Sequence, residues 1–164
     1  MTKEVFLFLK GLQVETDEEA QELETITAAD YYRKNGSHYV LYEEMTEGFT
    51  EKTKNRIKFS DNYLEVTKKG LINVHMIFEE NKKNITSYMT PYGNIIIGID
   101  TESVLIEESE ECIRVEVDYS LEANYQHLTD CRMKMEIRSR EEGIEFLRLK
   151  KDVPFSREHP FLTL

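Results

Sequence analysis

Acid–base side chains and tyrosines are concentrated between His38 and Glu44. Besides His38, this stretch contains the tyrosines Tyr39 and Tyr42 and the carboxylates Glu43 and Glu44. A histidine and two carboxylates can supply general acid–base catalysis when they share one site. On a β-strand, however, adjacent side chains point to opposite faces, so the two glutamates cannot share a proton. The pattern therefore favours a tyrosine-lined strand with a charged end, and it predicts no catalytic residue.

A second candidate is the turn sequence Thr90-Pro91-Tyr92-Gly93. Proline fixes its own φ, glycine can close the turn, and the tyrosine is then exposed at the tip. Loops carry function more often than the elements that they connect. The alternative is that this turn only closes a hairpin. The predicted ligand-binding residues are Tyr39, Tyr42, Tyr88, Thr90 and Tyr92.

The histidines and cysteines do not form a metal-binding pattern. His75 and Glu79 share one face of a predicted strand but lie about 13 Å apart, too far for one metal ion. No pair of His or Cys residues has ligand spacing, and the sequence contains no P-loop, dinucleotide-binding motif or nucleophile elbow. We therefore predict neither a metal site nor a cofactor.

One predicted strand carries four cations on a single face, Lys52, Lys54, Arg56 and Lys58. Such a stripe can contact a phosphate or an acidic partner. It can equally face acidic neighbours, because a turn at Asp61-Asn62 would place Lys58 opposite Glu65 on the next strand. In a chain with a net charge of -11, the second interpretation is favoured.

The composition is that of a small acidic globular protein. Its 164 residues suit one domain, and 40% of them are hydrophobic. The net charge repels polyanions, so we expect no nucleic-acid or anionic-membrane partner, and the oligomeric state stays open. No apolar run approaches the ~20 residues that span a bilayer, and the N-terminus lacks the pattern of a signal peptide. With two cysteines, which suit a reducing compartment, these features predict a cytoplasmic protein.

Apolar and polar residues alternate with a period of two through most of the chain. In 113–121 and 131–137, for example, every odd position is apolar or cysteine and every even position is polar. Short turns between such runs indicate a meander, and closing a long meander into a barrel removes its free edges. The prediction is an all-β, closed antiparallel meander barrel of about 8–10 strands, with a two-sheet sandwich as the alternative. The predicted strands lie near 3–10, 22–33, 37–46, 52–60, 63–68, 71–79, 84–90, 94–101, 112–121 and 128–138.

The predicted barrel domain covers residues 1–140, and residues 141–164 form a C-terminal extension. In that extension, Ile144 to Leu149 would form one more strand before an irregular tail that contains Pro154 and Pro160. Between the first two strands, Thr16 to Glu24 would form either a short helix or an acidic connection.

Two strand registers can also be predicted. Strands 112–121 and 128–138 should pair so that opposite charges face each other. Cys112 and Cys131 would then lie ~20 Å apart as free thiols, with Cys112 on the outer face and the more reactive. In the Thr90–Gly93 hairpin, a three-residue loop would place Met89 opposite Ile95 on one apolar face. The opposite-charge pairs in the first register are Asp118–Arg132, Glu116–Lys134 and Arg114–Glu136.

Three blocks of the chain, in this order and spacing, resemble the YwiB-like family of uncharacterised bacterial proteins. The blocks are YYRKNGSHYVLYEE at 31–44, Lys69-Gly70 with VHMIF at 74–78, and SYMTPYG at 87–93. The resemblance covers roughly Val5 to Ile137. It implies a lipocalin-like (calycin) β-barrel in a bacterial cytoplasm, but it implies neither an activity nor functional residues.

The sequence leaves three functional hypotheses open. The first is a barrel that binds a small apolar or amphipathic molecule without catalysis, since barrels of about eight strands can hold one small ligand. The alternative is a protein-interaction or regulatory module whose barrel is solid. An enzyme is the third hypothesis, and it has no visible catalytic constellation in its favour.

Overall fold

Within the residues that the structure describes, the chain folds into ten β-strands and one helix. The computed structural model describes residues 3–14 and 21–149. The all-β prediction is confirmed, although the Thr16 to Glu24 segment lies mostly outside the described residues, and Gln21 already belongs to a strand. The elements are β1 (Glu4–Val14), β2 (Gln21–Lys34), β3 (Ser37–Met45), β4 (Lys52–Ser60), β5 (Tyr63–Gly70), β6 (Val74–Glu79), β7 (Lys82–Thr90), β8 (Gly93–Glu108), β9 (Cys112–Ala123), β10 (Gln126–Ser139) and α1 (Arg140–Leu149).

All ten strands belong to one antiparallel sheet that curls into a nearly closed barrel. The sheet runs β6-β5-β4-β3-β2-β1-β10-β9-β8-β7, so β1 pairs with β10 and the two ends of the sheet meet at β6 and β7. This seam is closed at one point, where the backbones of Asn73 and Met89 exchange hydrogen bonds of 3.0 and 2.9 Å. A single sheet rules out the sandwich alternative. The finer assignment to the lipocalin-like (calycin) group remains a prediction.

The barrel interior is filled by the alternating apolar side chains of the strands. Leu7, Val40, Ile57, Phe59 and Phe78 have no exposed surface, and every strand contributes to this core. Burial of each large apolar side chain is worth roughly 1.5–3 kcal/mol. Since the alternation places these side chains on one face of every strand, the free energy of burying that face favours closure of the sheet into a barrel.

The predicted register of β9 and β10 is confirmed. Asp118 lies opposite Arg132 and forms an ion pair with it at 2.7 Å between Oδ1 and Nε. Both cysteines are free thiols, as predicted. Cys131 faces the interior, whereas Cys112 has the outward register but is also buried, so the expected difference in exposure is wrong. Arg138 lies directly opposite Cys112 in the β9–β10 pair and is also buried, so both residues lie on a covered part of the outer face.

The Thr90–Gly93 hairpin forms, but its predicted register is wrong by one residue. Thr90 pairs with Gly93 around a two-residue loop, so Met89 lies opposite Asn94. A shift of one residue moves every side chain to the other face. Tyr88 is therefore buried inside, while Ile85 and Met89 point outward and are 55% and 43% exposed.

The predicted strand over 144–149 is wrong, because these residues belong to helix α1. The backbone amide of Glu142 donates to the hydroxyl of Ser139 at 3.4 Å, which caps the first turn. Gly143 is buried against the ring of Phe6, where a β-carbon would overlap the ring, and Phe146 packs edge-on against Phe8 at 4.8 Å. The helix therefore covers the outer face of β1, and residues 150–164 lie outside the described residues. No helix in the described part of the chain is long and apolar enough to cross a bilayer.

Candidate functional site

The barrel wall opens sideways between β2 and β3. Up to Asp30, strand β2 pairs with β1, and from Asp30 to Lys34 it pairs with β3. Beyond Leu41, β3 pairs only with β4 within the described residues. The two strands therefore diverge beyond the Asp30–Leu41 pair, toward Gln21 in β2 and Met45 in β3. They leave an opening of about 600 Å³, which we call the lateral cleft.

The lateral cleft has an apolar throat and a charged rim. Val5 and Ala29 line it from the inner face, and exposed Ala28 lines it from the outer face. The rim carries the ion pair between Arg140 and Glu4, at 2.7 Å. Glu43 and Lys54, which lie opposite each other on β3 and β4, also belong to it. Such a passage suits a molecule that has both an apolar and a polar part.

Buried polar side chains lie at the inner end of the cleft. Tyr42, Asn55 and Lys68 lie side by side on β3, β4 and β5, because each is directly opposite the next in the sheet. The Lys68 side chain has 0% exposure, and its ammonium donates to Glu44 Oε1 at 2.6 Å and to Asn55 Oδ1. We call Tyr42, Glu44, Asn55 and Lys68 the interior polar cluster. Since Tyr42 and Asn55 also line the lateral cleft, the cleft leads directly to the cluster.

The electrostatics of the cluster are dominated by burial. Burial lowers the pKa of Lys68 to about 8, although the neighbouring Glu44 carboxylate opposes the shift. Burial and the same carboxylate raise the pKa of Tyr42, and they raise that of Tyr88 to about 12. The tyrosines are therefore neutral hydroxyl groups, and the lysine loses its proton more readily than an exposed one.

One group of the cluster lacks a hydrogen-bond partner. The hydroxyl of Tyr42 is fully buried and forms no hydrogen bond with any of the described residues. Leaving a buried hydroxyl unpaired costs about 1–3 kcal/mol. A ligand that supplies a partner for this hydroxyl would recover that cost, so Tyr42 marks the polar end of the candidate site.

The predicted ligand-binding residues fall into three places. Tyr42 and Tyr88 point into the barrel, near Glu44. Tyr39 lies on the outer face, where its ring stacks on that of Tyr32 at 4.7 Å, away from the lateral cleft. Thr90 and Tyr92 form the tip of the β7–β8 hairpin. There, the amide of Tyr92 donates to the Thr90 hydroxyl at 3.1 Å, and Tyr92 is 86% exposed.

Sequence reasoning missed two members of the cluster, Asn55 and Lys68. Lys68 continues the inward-facing series begun by Leu64 and Val66, and Asn55 precedes Ile57 and Phe59 in the inward series of β4. A polar residue in register with a buried apolar series is the signal that would have found them. The signal is meaningful only when neighbouring strands carry it at the same end, which requires knowledge of the strand order.

His38, from the stretch considered for acid–base chemistry, lies toward the opposite end of the barrel. His38 is buried, its Nδ1 lies 2.7 Å from the Tyr31 hydroxyl, and its Nε2 lies 3.7 Å from a carboxylate oxygen of Glu108. Burial lowers the pKa of His38, which favours the neutral imidazole, and its Nδ1 shares a hydrogen bond with the Tyr31 hydroxyl. As predicted, Glu43 and Glu44 point to opposite faces, with only Glu44 turned inward. Among the described residues, no three His, Cys, Asp or Glu side chains are placed to hold a metal ion.

These features define a ten-stranded antiparallel β-barrel whose wall opens laterally onto buried polar side chains. The chain belongs to the family described as a domain of unknown function, DUF1934, whose model matches residues 8–135. It is similar in fold to the crystal structure of the ywiB protein from Bacillus subtilis, with 21% identity and a TM-score of 0.73 over 84% of this chain and 92% of that one. No curated protein matches the sequence.

Proposed function

We propose that this protein binds a small amphipathic molecule in the lateral cleft, without catalysis. The observation that carries the proposal is that a cleft of about 600 Å³ is lined by Tyr42, whose hydroxyl is buried and has no hydrogen-bond partner among the described residues. Ligand sites in proteins are usually concave, of about 300–1,000 Å³, and largely apolar with a few convergent polar groups. The lateral cleft has this size and this chemistry.

The arrangement of the lining orients the ligand. Its apolar part would lie between Val5 and Ala29 in the throat, and its polar group would exchange hydrogen bonds with Tyr42 and Asn55. A hydroxyl or carbonyl group satisfies these partners, since a tyrosine hydroxyl and a carboxamide can each donate and accept. A fully apolar molecule would leave Tyr42 unpaired and would bind more weakly.

A large side chain placed in the apolar throat of the lateral cleft is expected to weaken octanol binding about ten-fold or more. Ala28 is exposed and lines the cleft, so the variant Ala28→Phe places a ring in the passage without disturbing the core. The measurement is isothermal titration calorimetry with octanol as the probe. A ten-fold loss corresponds to about 1.4 kcal/mol.

Two further variants make this test specific. Ser87→Phe adds the same ring at an exposed position on β7 outside the cleft, and it should leave octanol binding unchanged. Tyr42→Phe removes only the unpaired hydroxyl and should also weaken binding, by the net value of one hydrogen bond, about 0.5–1.5 kcal/mol. Equal affinity of Ala28→Phe and Ser87→Phe for octanol would refute the proposed site.

A protein-interaction module is the second candidate function, and exposed aromatic residues at one end of the barrel favour it. Tyr92 and Tyr125 lie at the tips of the β7–β8 and β9–β10 hairpins and are 86% and 68% exposed. Tyrosine is enriched at protein–protein interfaces. Binding of a partner at these tips would be lost in a Tyr92→Ser/Tyr125→Ser variant and kept in Ala28→Phe, which is the reverse of the result expected for octanol.

A further inference from the structure

We propose that Lys68 is a covalent attachment site for a carbonyl ligand, whose aldehyde or ketone group forms a reversible imine with the lysine amine. This inference rests on the proposed function and specifies its ligand class. It assigns a chemical role to a lysine that lies inside the barrel, hydrogen-bonded to Asn55 of the cleft lining.

The Lys68 amine is separated from the cleft by one hydrogen-bonded lining residue. The Lys68 ammonium hydrogen-bonds to Asn55, which itself lines the cleft, and Tyr42 lies on the other side of Asn55 in the same cross-strand row. A ligand carbonyl that displaces the Asn55 contact would therefore meet the amine directly. The unpaired Tyr42 hydroxyl is available to donate a hydrogen bond to the carbonyl oxygen.

Glu44 supplies the proton transfers that imine formation requires. Its carboxylate lies 2.6 Å from the Lys68 nitrogen and can accept the ammonium proton, which leaves a neutral amine. The nitrogen lone pair then attacks the carbonyl carbon, and the carbonyl oxygen takes the proton from Glu44 to give a carbinolamine. After Glu44 removes a proton from nitrogen and returns it to the hydroxyl group, water leaves and a protonated imine remains. The ammonium and the carbonyl compound are converted to the iminium and water, with no oxidant or reductant.

The buried position also favours the nucleophilic form of the lysine. Burial lowers the pKa of Lys68 to about 8, so roughly one tenth of it is a neutral amine at pH 7. An exposed lysine has well under one part in a thousand in that form. Desolvated lysines that lose their proton near neutral pH are the ones that proteins use for imine chemistry.

Reductive trapping with octanal tests the inference. The full chain is incubated with octanal and sodium cyanoborohydride, and the products are mapped by peptide mass spectrometry. We expect one dominant adduct, with the mass of octanal less one oxygen, on the peptide that contains Lys68. The variant Lys68→Arg should lose this adduct, and Lys69→Arg should retain it, because Lys69 is the exposed neighbour on the outer face.

Two readouts separate the possible failures. Octanol has the same chain but forms no imine, so absence of octanol binding would overturn the proposed function, whereas octanol binding with no Lys68 adduct would overturn only this inference. An adduct spread over exposed lysines would also overturn it. If Lys68→Arg fails to fold, the yield of the Lys68 adduct is measured against pH in the unchanged protein. An inflection of this yield near pH 8 supports the inference, and the absence of an inflection opposes it.

Discussion

The variant Glu44→Ala is expected to lower the free energy of unfolding by about 1–2 kcal/mol at pH 7. Lys68 has no exposed side-chain surface, and Glu44 is its only charged partner in the interior polar cluster. Removing one partner of a buried ion pair leaves an uncompensated charge. Because burial already lowers the pKa of Lys68 to about 8, the amine can give up its proton at pH 7 for about 1.4 kcal/mol, which limits the loss. Urea denaturation at several pH values measures the loss. At pH 10 the loss should shrink, because the unpaired amine is then neutral.

The chain provides a closely matched control for this variant. Glu43 is the preceding residue on β3, but its side chain is 52% exposed and pairs with exposed Lys52 at 3.6 Å. Glu43→Ala should therefore change stability by no more than about 0.5 kcal/mol. The double variant Glu44→Leu/Lys68→Met should be close to the unchanged protein, since apolar residues can replace a buried pair at little cost. Equal losses for Glu43→Ala and Glu44→Ala would contradict the buried pair.

The unfolding free energy of the unchanged protein is expected to rise by roughly 2 kcal/mol between pH 8 and pH 10, relative to the Lys68→Met variant. In the folded state, burial lowers the pKa of Lys68 to about 8, whereas the unfolded lysine titrates near 10.5. Between these values the unfolded state binds more protons than the folded state, so stability increases with pH. Each unit of pH over which the two states differ by one proton contributes about 1.4 kcal/mol.

The upper limit of this window is set by the tyrosines. The pKa values of Tyr42 and Tyr88 are raised by burial, so above pH 10 the unfolded state loses tyrosine protons that the folded state retains. Stability then falls as the pH rises further. Comparison with Lys68→Met removes these shared contributions. Stability curves that run parallel from pH 8 to pH 10 would show that Lys68 does not titrate as described.

The strands were predictable because each has one face that is buried in the barrel interior. Alternation located all ten, and opposite charges fixed the β9–β10 register through pairs such as Asp118 and Arg132. The β7–β8 register failed because apolar Ile85 and Met89 suggested an inward face, whereas Tyr88 is the residue that turns inward. An apolar series predicts a buried face only where the interior itself is apolar, and Tyr88 lies where the charge of Glu44 acts on it.

The C-terminal helix carried a local signal that was missed. Ser139 and Glu142 have the spacing of a helix cap, and Gly143 and Phe146 then fall on one helical face. Within the short apolar run from Ile144 to Leu149, strand and helix patterns are difficult to distinguish. Only the packing of this face onto Phe6 and Phe8 decides in favour of the helix.

The candidate site was only partly predictable. Tyr42 and Tyr88 were among the predicted residues, but Lys68 and Glu44 are distant in sequence and meet only through the pairing of β3, β4 and β5. The lateral cleft depends on the change of partner by β2 at Asp30. No local pattern records such a change, since it follows from how the whole barrel closes.

The most direct test of ligand binding in the lateral cleft is an isotope-filtered nuclear Overhauser experiment on the labelled protein with octanol. The account predicts contacts from the alkyl chain to the methyl groups of Ala28 and Ala29 and from the hydroxyl end to the ring of Tyr42, because these side chains line the cleft. Contacts only to the exposed rings of Tyr92 and Tyr125, or no contacts at saturating octanol, would contradict it.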